Sequence, residues 1–160
     1  MQFKTLIAAI DVEDDLAEGV IRTADSLAQK DGANLTIVSV WPPLSAAAPG
    51  FASEVSVGST VVSEALMEQH REGRKECEAS LKALVQKLAP KAKAVVVDGD
   101  PADAVAHYAK ENKADLIVTG SHQRNVWGAL FKGSPSRDLV REAPCAVFLV
   151  TKAFAETLAG

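Results

Sequence analysis

Aromatic residues are scarce in this chain of 160 residues, at 5%. That is too few for the stacked platforms on which proteins hold single-stranded nucleic acid. Cations are neither abundant nor clustered. Lys and Arg number 17 against 21 Asp and Glu, the net charge is −4, and no basic stripe runs along the chain. Nonspecific binding to DNA or RNA depends on such clusters, so the sequence points to no nucleic-acid partner. Cysteine is nearly absent: Cys77 and Cys145 lie far apart and in different kinds of element. Reduced, buried thiols in a cytoplasmic protein are the expectation. With three His and two Cys at no metal-ligand spacing, no metal site is expected. Long apolar runs are missing too, so no membrane span is expected. The stretch Met1 to Ile10 becomes apolar after Lys4. Asp11, Glu13, Asp14 and Asp15 follow at once, where a secretory signal places small cleavage-site residues.

What is present suits one continuous core, with 48% hydrophobic residues. Lys4 to Ile10 is an unbroken apolar run and reads as a strand buried on both faces. Asp14 to Lys30 carries Leu16, Val20, Ala24, Leu27 and Ala28 at helical spacing, and Asp31-Gly32 ends that helix. Asn34 to Val40 is rich in β-branched residues and forms a second strand, stopped by Trp41-Pro42-Pro43. Leu44 to Thr60 has no period and reads as a long connection of the kind that often carries function.

Val61 to Ala89 then predicts a long helix with an inner stripe of Leu66, His70, Gly73, Cys77, Leu81, Leu84 and Leu88. Ala92 to Val97 is a third strand. Asp100 and Pro101 are placed to cap and open the next helix, which ends near Asn112 and faces inward through Val105, Ala106 and Ala109. Asp115 to Thr119 is a fourth strand, Ser134-Pro135 opens a helix through Arg141, and Cys145 to Val150 is a fifth strand. Lys152 to Gly160 is a tail without a clear pattern. Strands alternating with helices imply parallel pairing through right-handed crossovers. The expected fold is therefore an open, doubly wound five-stranded α/β domain over residues 1–151, followed by the tail 152–160.

The stretch with the most chemistry begins where the fourth strand ends. Thr119 and Gly120 run into Ser121-His122-Gln123, and Gly133-Ser134 follows before a helix start. A glycine-hinged loop returning to a helix N-terminus exposes backbone N–H groups to an anion, phosphate above all. Asp11 just after strand one, Val40 closing strand two, Gly99-Asp100-Pro101, and the ending Arg141-Glu142-Ala143-Pro144-Cys145-Ala146-Val147-Phe148-Leu149-Val150 complete a pattern. In these residues the chain resembles the universal stress proteins, from about Phe3 to Thr151.

The resemblance implies a strand order of 3-2-1-4-5, with the sheet reversing direction between strands one and four. Open α/β sheets bind ligands at such a switch point, beyond the carboxyl ends of the strands. Family members that bind ATP carry Gly-x2-Gly-x9-Gly-Ser/Thr. Carried over by position, Gly120, Gly133 and Ser134 would hold phosphates, with Ser136 adding a hydroxyl. Asp11 would meet the ribose or adenine, and Val40 would offer backbone groups to the base. Thr119 and His122 complete the expected set. The ligand implied is ATP or the related ADP or AMP, with Mg2+ left open as a companion.

The departure is Gln123, which stands where the second glycine of the motif would be. A side chain there costs about 1 kcal/mol if φ must be positive. Pro135 also removes one N–H from the helix start. His122, Arg124 and Lys132 supply compensating positive charge in the same loop.

Several of these residues have plain structural roles as well. An acidic residue after a strand is common, Gly120 lets the chain leave the sheet, and Ser134 caps a helix whether or not ligand is bound. Gly128 with Gly133-Ser134 faintly resembles a P-loop, but Lys132 precedes the glycine it should follow, so Walker-type hydrolysis is not expected. No Ser or Cys nucleophile with a base and an acid is apparent, and slow ATP hydrolysis is the most the sequence implies. His70 reads as a packing or interface residue, His107 as a surface one, and Trp127 with Phe131 as a hydrophobic plug packed over the site or a face for a partner.

The expected function is a cytoplasmic stress-response module that binds an adenine nucleotide and an unidentified protein partner. The resemblance implies a homodimer through strand 145–150, with Phe154 and Leu158 nearby. A nucleotide-free dimeric scaffold is the alternative that Gln123 favours. A phosphoacceptor receiver domain, using Asp98 and Lys152 beside Asp11, fits less well because it leaves the Gly120 loop unexplained.

Overall fold

The computed structural model describes residues 1–44, 60–121 and 143–158, with side chains from residue 64 in the middle stretch. In chain order the elements are β1 (Thr5–Ala9), α1 (Ala17–Asp31), β2 (Asn34–Trp41), α2 (Thr60–Leu88), β3 (Lys93–Asp98), α3 (Pro101–Glu111), β4 (Leu116–Gly120), β5 (Ala146–Val150) and α4 (Lys152–Leu158). The strands form one parallel sheet in the order β3-β2-β1-β4-β5. Most of the connection expected at 44–60, and the helix expected from Ser134 to Arg141, lie outside the described residues.

The sheet is buried on both faces because its central strands carry apolar residues on both sides, with Ser39 and Thr119 as buried polar exceptions. Leu6 and Ala8 of β1 face α1 and α2, in a cluster with Ile21 and Leu81. Ile7 and Ala9 face the other way, toward Val105 and Ala109 of α3. Asp100 caps α3 as expected: its carboxylate accepts the N–H of Ala102 at 3.3 Å, and Pro101 opens the helix. Gly32 ends α1 in the left-handed region, at φ +69°, where a side chain would be strained. Among the described residues, no helix is long and apolar enough to cross a membrane.

Three expectations are corrected. The first helix starts at Ala17 rather than Asp14, because the acidic residues fold into turns. Asp14 donates its N–H to the Asp11 carbonyl at 3.1 Å, and its carboxylate accepts the Leu16 N–H at 2.7 Å. Such local side-chain bonds compete with helix. The tail forms a helix, α4. Its start is marked by Thr151, whose hydroxyl accepts the Phe154 N–H at 3.2 Å. That helix lies on α1 with Ala155 against Gly19, where a Cβ on the glycine would come within 2.7 Å of the alanine Cβ. Finally, Cys77 and Cys145 are free but half-buried rather than fully enclosed.

Core and cap should separate in mutagenesis. Leu81 is fully buried, so Leu81→Ala should lower unfolding free energy by about 2–5 kcal/mol in urea titrations. Asp100→Ala should cost about 1 kcal/mol.

Candidate functional site

The carboxyl ends of three strands assemble the site. Register places Ala9 of β1 between Val38 of β2 and Thr119 of β4, so the three form one row across the sheet. Beyond this row, Asp11 follows the end of β1 by two residues, while Val40 is still in β2 and Gly120 in β4. β1 stops at Ala9 while β2 runs on to Trp41, which opens a notch above the end of β1. The chain crosses from β1 to β2 on one side and returns from β3 to β4 on the other, so the notch lies at the switch point.

Val40 is turned toward this notch. Val38 accepts the Ile10 N–H on its carbonyl at 2.9 Å. Backbone orientation repeats every second residue, so the N–H and C=O of Val40 point to the same side, past the last residue of β1. Trp41 faces oppositely, its carbonyl accepting the Gly99 N–H at 3.1 Å. Gly120 remains in the sheet as the last residue of β4, paired with Val150. Ser121 is still tied to β5, donating its N–H to the Val150 carbonyl at 2.9 Å.

Two features of this corner are unfavourable to the free protein. Thr119 is fully buried, and among the described residues its hydroxyl oxygen has no hydrogen-bond partner. An unsatisfied buried hydroxyl costs roughly 1–3 kcal/mol. Asp11 is half-buried, and burial pushes its carboxyl above the ordinary carboxylate range. The Glu13 N–H, donated to Asp11 Oδ1 at 3.0 Å, opposes that rise, while the charges of Glu13 and Asp14 add to it. Groups held against their preferences in a crevice are a mark of function.

Of the expected residues, the structure brings together Asp11, Val40, Thr119 and Gly120. His122, Gln123, Gly133, Ser134 and Ser136 lie outside the described residues, as do Arg124, Trp127, Phe131, Lys132 and Pro135. His107 is at the surface, 3.3 Å from Glu111. His70 packs against Trp41, with ring centroids 5.3 Å apart. The Trp41–His70 pair on the rim was not foreseen as a unit. The helical stripe placed His70 inward, but its partner is 29 residues away in sequence.

Asp98 does not stand ready as a phosphoacceptor. It is gripped by Arg74 through Nε at 2.8 Å and a terminal nitrogen at 2.9 Å, and this bond holds its carboxyl below the ordinary range. The strand order also differs from the 2-1-3-4-5 arrangement of receiver domains.

These features define a doubly wound α/β module whose sheet has its switch point between β1 and β4. The profile of the universal stress protein family matches residues 2–151. A universal stress protein of Thermus aquaticus is 35% identical over 148 residues, covering 92% of this chain and 98% of that one. The chain belongs to the universal stress protein family. Among solved structures, the universal stress protein UspA from Lactobacillus plantarum has a TM-score of 0.62 at 24% identity, covering 94% and 99% of the two chains. Two others share the fold: a universal stress protein in complex with cAMP, at TM-score 0.55 and 21% identity over 94% and 98% of the chains, and one from Archaeoglobus fulgidus in complex with dAMP, at 0.53 and 21% over 93% and 98%.

The electrostatics of Asp11 give a signed expectation. With its pKa raised by folding, its contribution is fully present below the unfolded pKa and is lost as pH rises through the folded one. Asp11→Asn keeps the acceptor for the Glu13 N–H and cannot ionise. The variant should be more stable than the parent in urea at pH 7, and the difference should close as the solution is acidified into the ordinary carboxylate range.

Proposed function

We propose that this protein binds an adenine nucleotide in the notch above β1 and works as a stress-response regulatory module. The observation that carries this reading is the convergence of Asp11, the inward-turned backbone of Val40, and Thr119-Gly120 at one switch point. Relatives of the same fold crystallised with cAMP and dAMP support an adenine ligand. Under this proposal the phosphates of ATP, ADP or AMP lie toward the loop carrying His122, Gln123, Gly133, Ser134 and Ser136. Mg2+ is an optional companion of the phosphates. The reading assigns no residue to activate water, so any ATP hydrolysis is slow. The proposed setting is the cytoplasm, where two separate free thiols stay reduced.

Calorimetric titration with AMP and ATP tests the proposal. Saturable binding, weakened at least tenfold in Asp11→Asn despite that variant's higher stability, is the expected outcome. Thermal unfolding should report the same event, since a ligand at a hundredfold excess over its dissociation constant adds about 2.7 kcal/mol. No binding at millimolar nucleotide would overturn the proposal. It would leave the second reading, a nucleotide-free scaffold for a protein partner, which Gln123 in place of the motif's second glycine favours.

We further propose a homodimer through β5. This strand is the sheet edge, and its surroundings expose Phe148 (38%), Leu149 (43%), Phe154 (40%) and Leu158 (38%). Phe148 and Phe154 already touch, with ring centroids 6.3 Å apart. Val150 turns its carbonyl to Ser121, so by alternation Val147 and Leu149 turn their backbone groups outward, as an unpaired edge available to a second copy. Val147→Pro removes an outward N–H and leaves the β4–β5 ladder intact. Sedimentation velocity should show a dimer for the parent and a monomer for the variant; an unchanged dimer would rule out pairing through this edge.

A further inference from the structure

His70 has no part in the proposed nucleotide contacts, yet both of its ring nitrogens are committed. Nε2 lies 2.9 Å from the carbonyl oxygen of Pro42, and Nδ1 lies 3.4 Å from Trp41 Nε1. A proline carbonyl can only accept a hydrogen bond, and an indole N–H can only donate one. The arrangement therefore suits one form of the ring: neutral, with its proton on Nε2 and the Nδ1 lone pair facing the indole. Gly73, on the next turn of α2, lets the indole close onto the helix. A Cβ there would lie 2.8 Å from Trp41 Cη2. Trp41 is the last residue of β2 and follows Val40 directly, so this contact fastens α2 to the rim of the notch.

Imidazole is the side chain whose ordinary charge change falls between pH 5 and 8. A proton taken up from solvent at Nδ1 sets an N–H against the Trp41 N–H, and that bond is lost. The Pro42 bond survives with a charged donor. We propose that His70 is a proton-operated latch, releasing the Trp41 indole from α2 and loosening the exit of β2. Among the described residues, the charged groups around the pair are few and mixed. On β3, Asp98 feels the charge of His70. On α2, Arg74 forks onto that carboxylate, while Glu72 and Glu76 line the adjoining groove of about 470 Å³. From β2 the ring meets the uncharged Trp41.

The test uses the full chain without ligand, so it stands whether or not a nucleotide binds. Trp127→Phe leaves Trp41 as the sole indole, since the sequence has two Trp. Between pH 8 and 5, Trp41 emission, its indole N–H resonance and the 15N shifts of the His70 ring should follow one shared one-proton transition. At pH 8 the ring should carry its proton on Nε2. His70→Gln, whose amide donates to Pro42 without titrating, should abolish the Trp41 transition. A flat Trp41 signal, a transition unchanged in His70→Gln, or a proton on Nδ1 at pH 8 would overturn the latch. If His70→Gln fails to fold by far-UV circular dichroism, the unsubstituted histidine decides. Its ring shifts and the Trp41 N–H must then move together, and independent movement overturns the proposal.

Discussion

The parallel pairing of β1 with β4, from Leu6 against Leu116 to Ala9 against Thr119, organises this molecule. Strands one and two are neighbours through a crossover on one face. The return from β3 to β4 runs along the other face and brings β4 to the free side of β1. The switch point therefore lies between the carboxyl ends of these two strands, and β1 leads from it into the segment before α1. The apolar residues of β1 are what make the pairing possible, because a strand between two neighbours and beneath two helix layers has no face left for water. The crevice is thus a by-product of burying Leu6, Ile7, Ala8 and Ala9.

Much of this was legible in the sequence, for physical reasons that differ by element. An uninterrupted apolar run bounded by acids has few alternatives to a buried strand, and β1, β2 and β4 fell close to their expected bounds. Asp100-Pro101 announced a helix start because cap and fixed φ agree. The start of α1 was misjudged because Asp14 has both helical neighbours and a carboxylate that bonds its own backbone nearby, and the local bond prevails. The terminal helix was missed because its cue is short: one threonine cap before Lys152 to Leu158.

The candidate site divides along similar lines. Asp11, Val40 and Thr119-Gly120 could be placed at strand ends because those ends follow from periodicity, while their proposed roles and the order at the switch point came from family likeness. The remainder of the expected constellation, from His122 to Ser136, still rests on the spacing of its glycines and serine. No pattern in the chain could foretell that the hydroxyl of Thr119 is enclosed without a partner among the described residues, since enclosure is a three-dimensional property. The same holds for Trp41 and His70. Their contact depends on how α2 lies across the sheet, which Gly73 permits and no local rule encodes.

The small-residue contact between Gly19 and Ala155 has a practical side. It involves a helix beyond the stretch that the family profile matches, which ends at residue 151. That helix rests on α1 near its start, and α1 emerges from the segment containing Asp11. Cargo fused behind Gly160 would tug on the docked terminus and, through it, on the acidic turn beside the crevice. Met1 is fully exposed, at the end of the sheet away from the crevice. Affinity handles and fluorophores for ligand studies belong there.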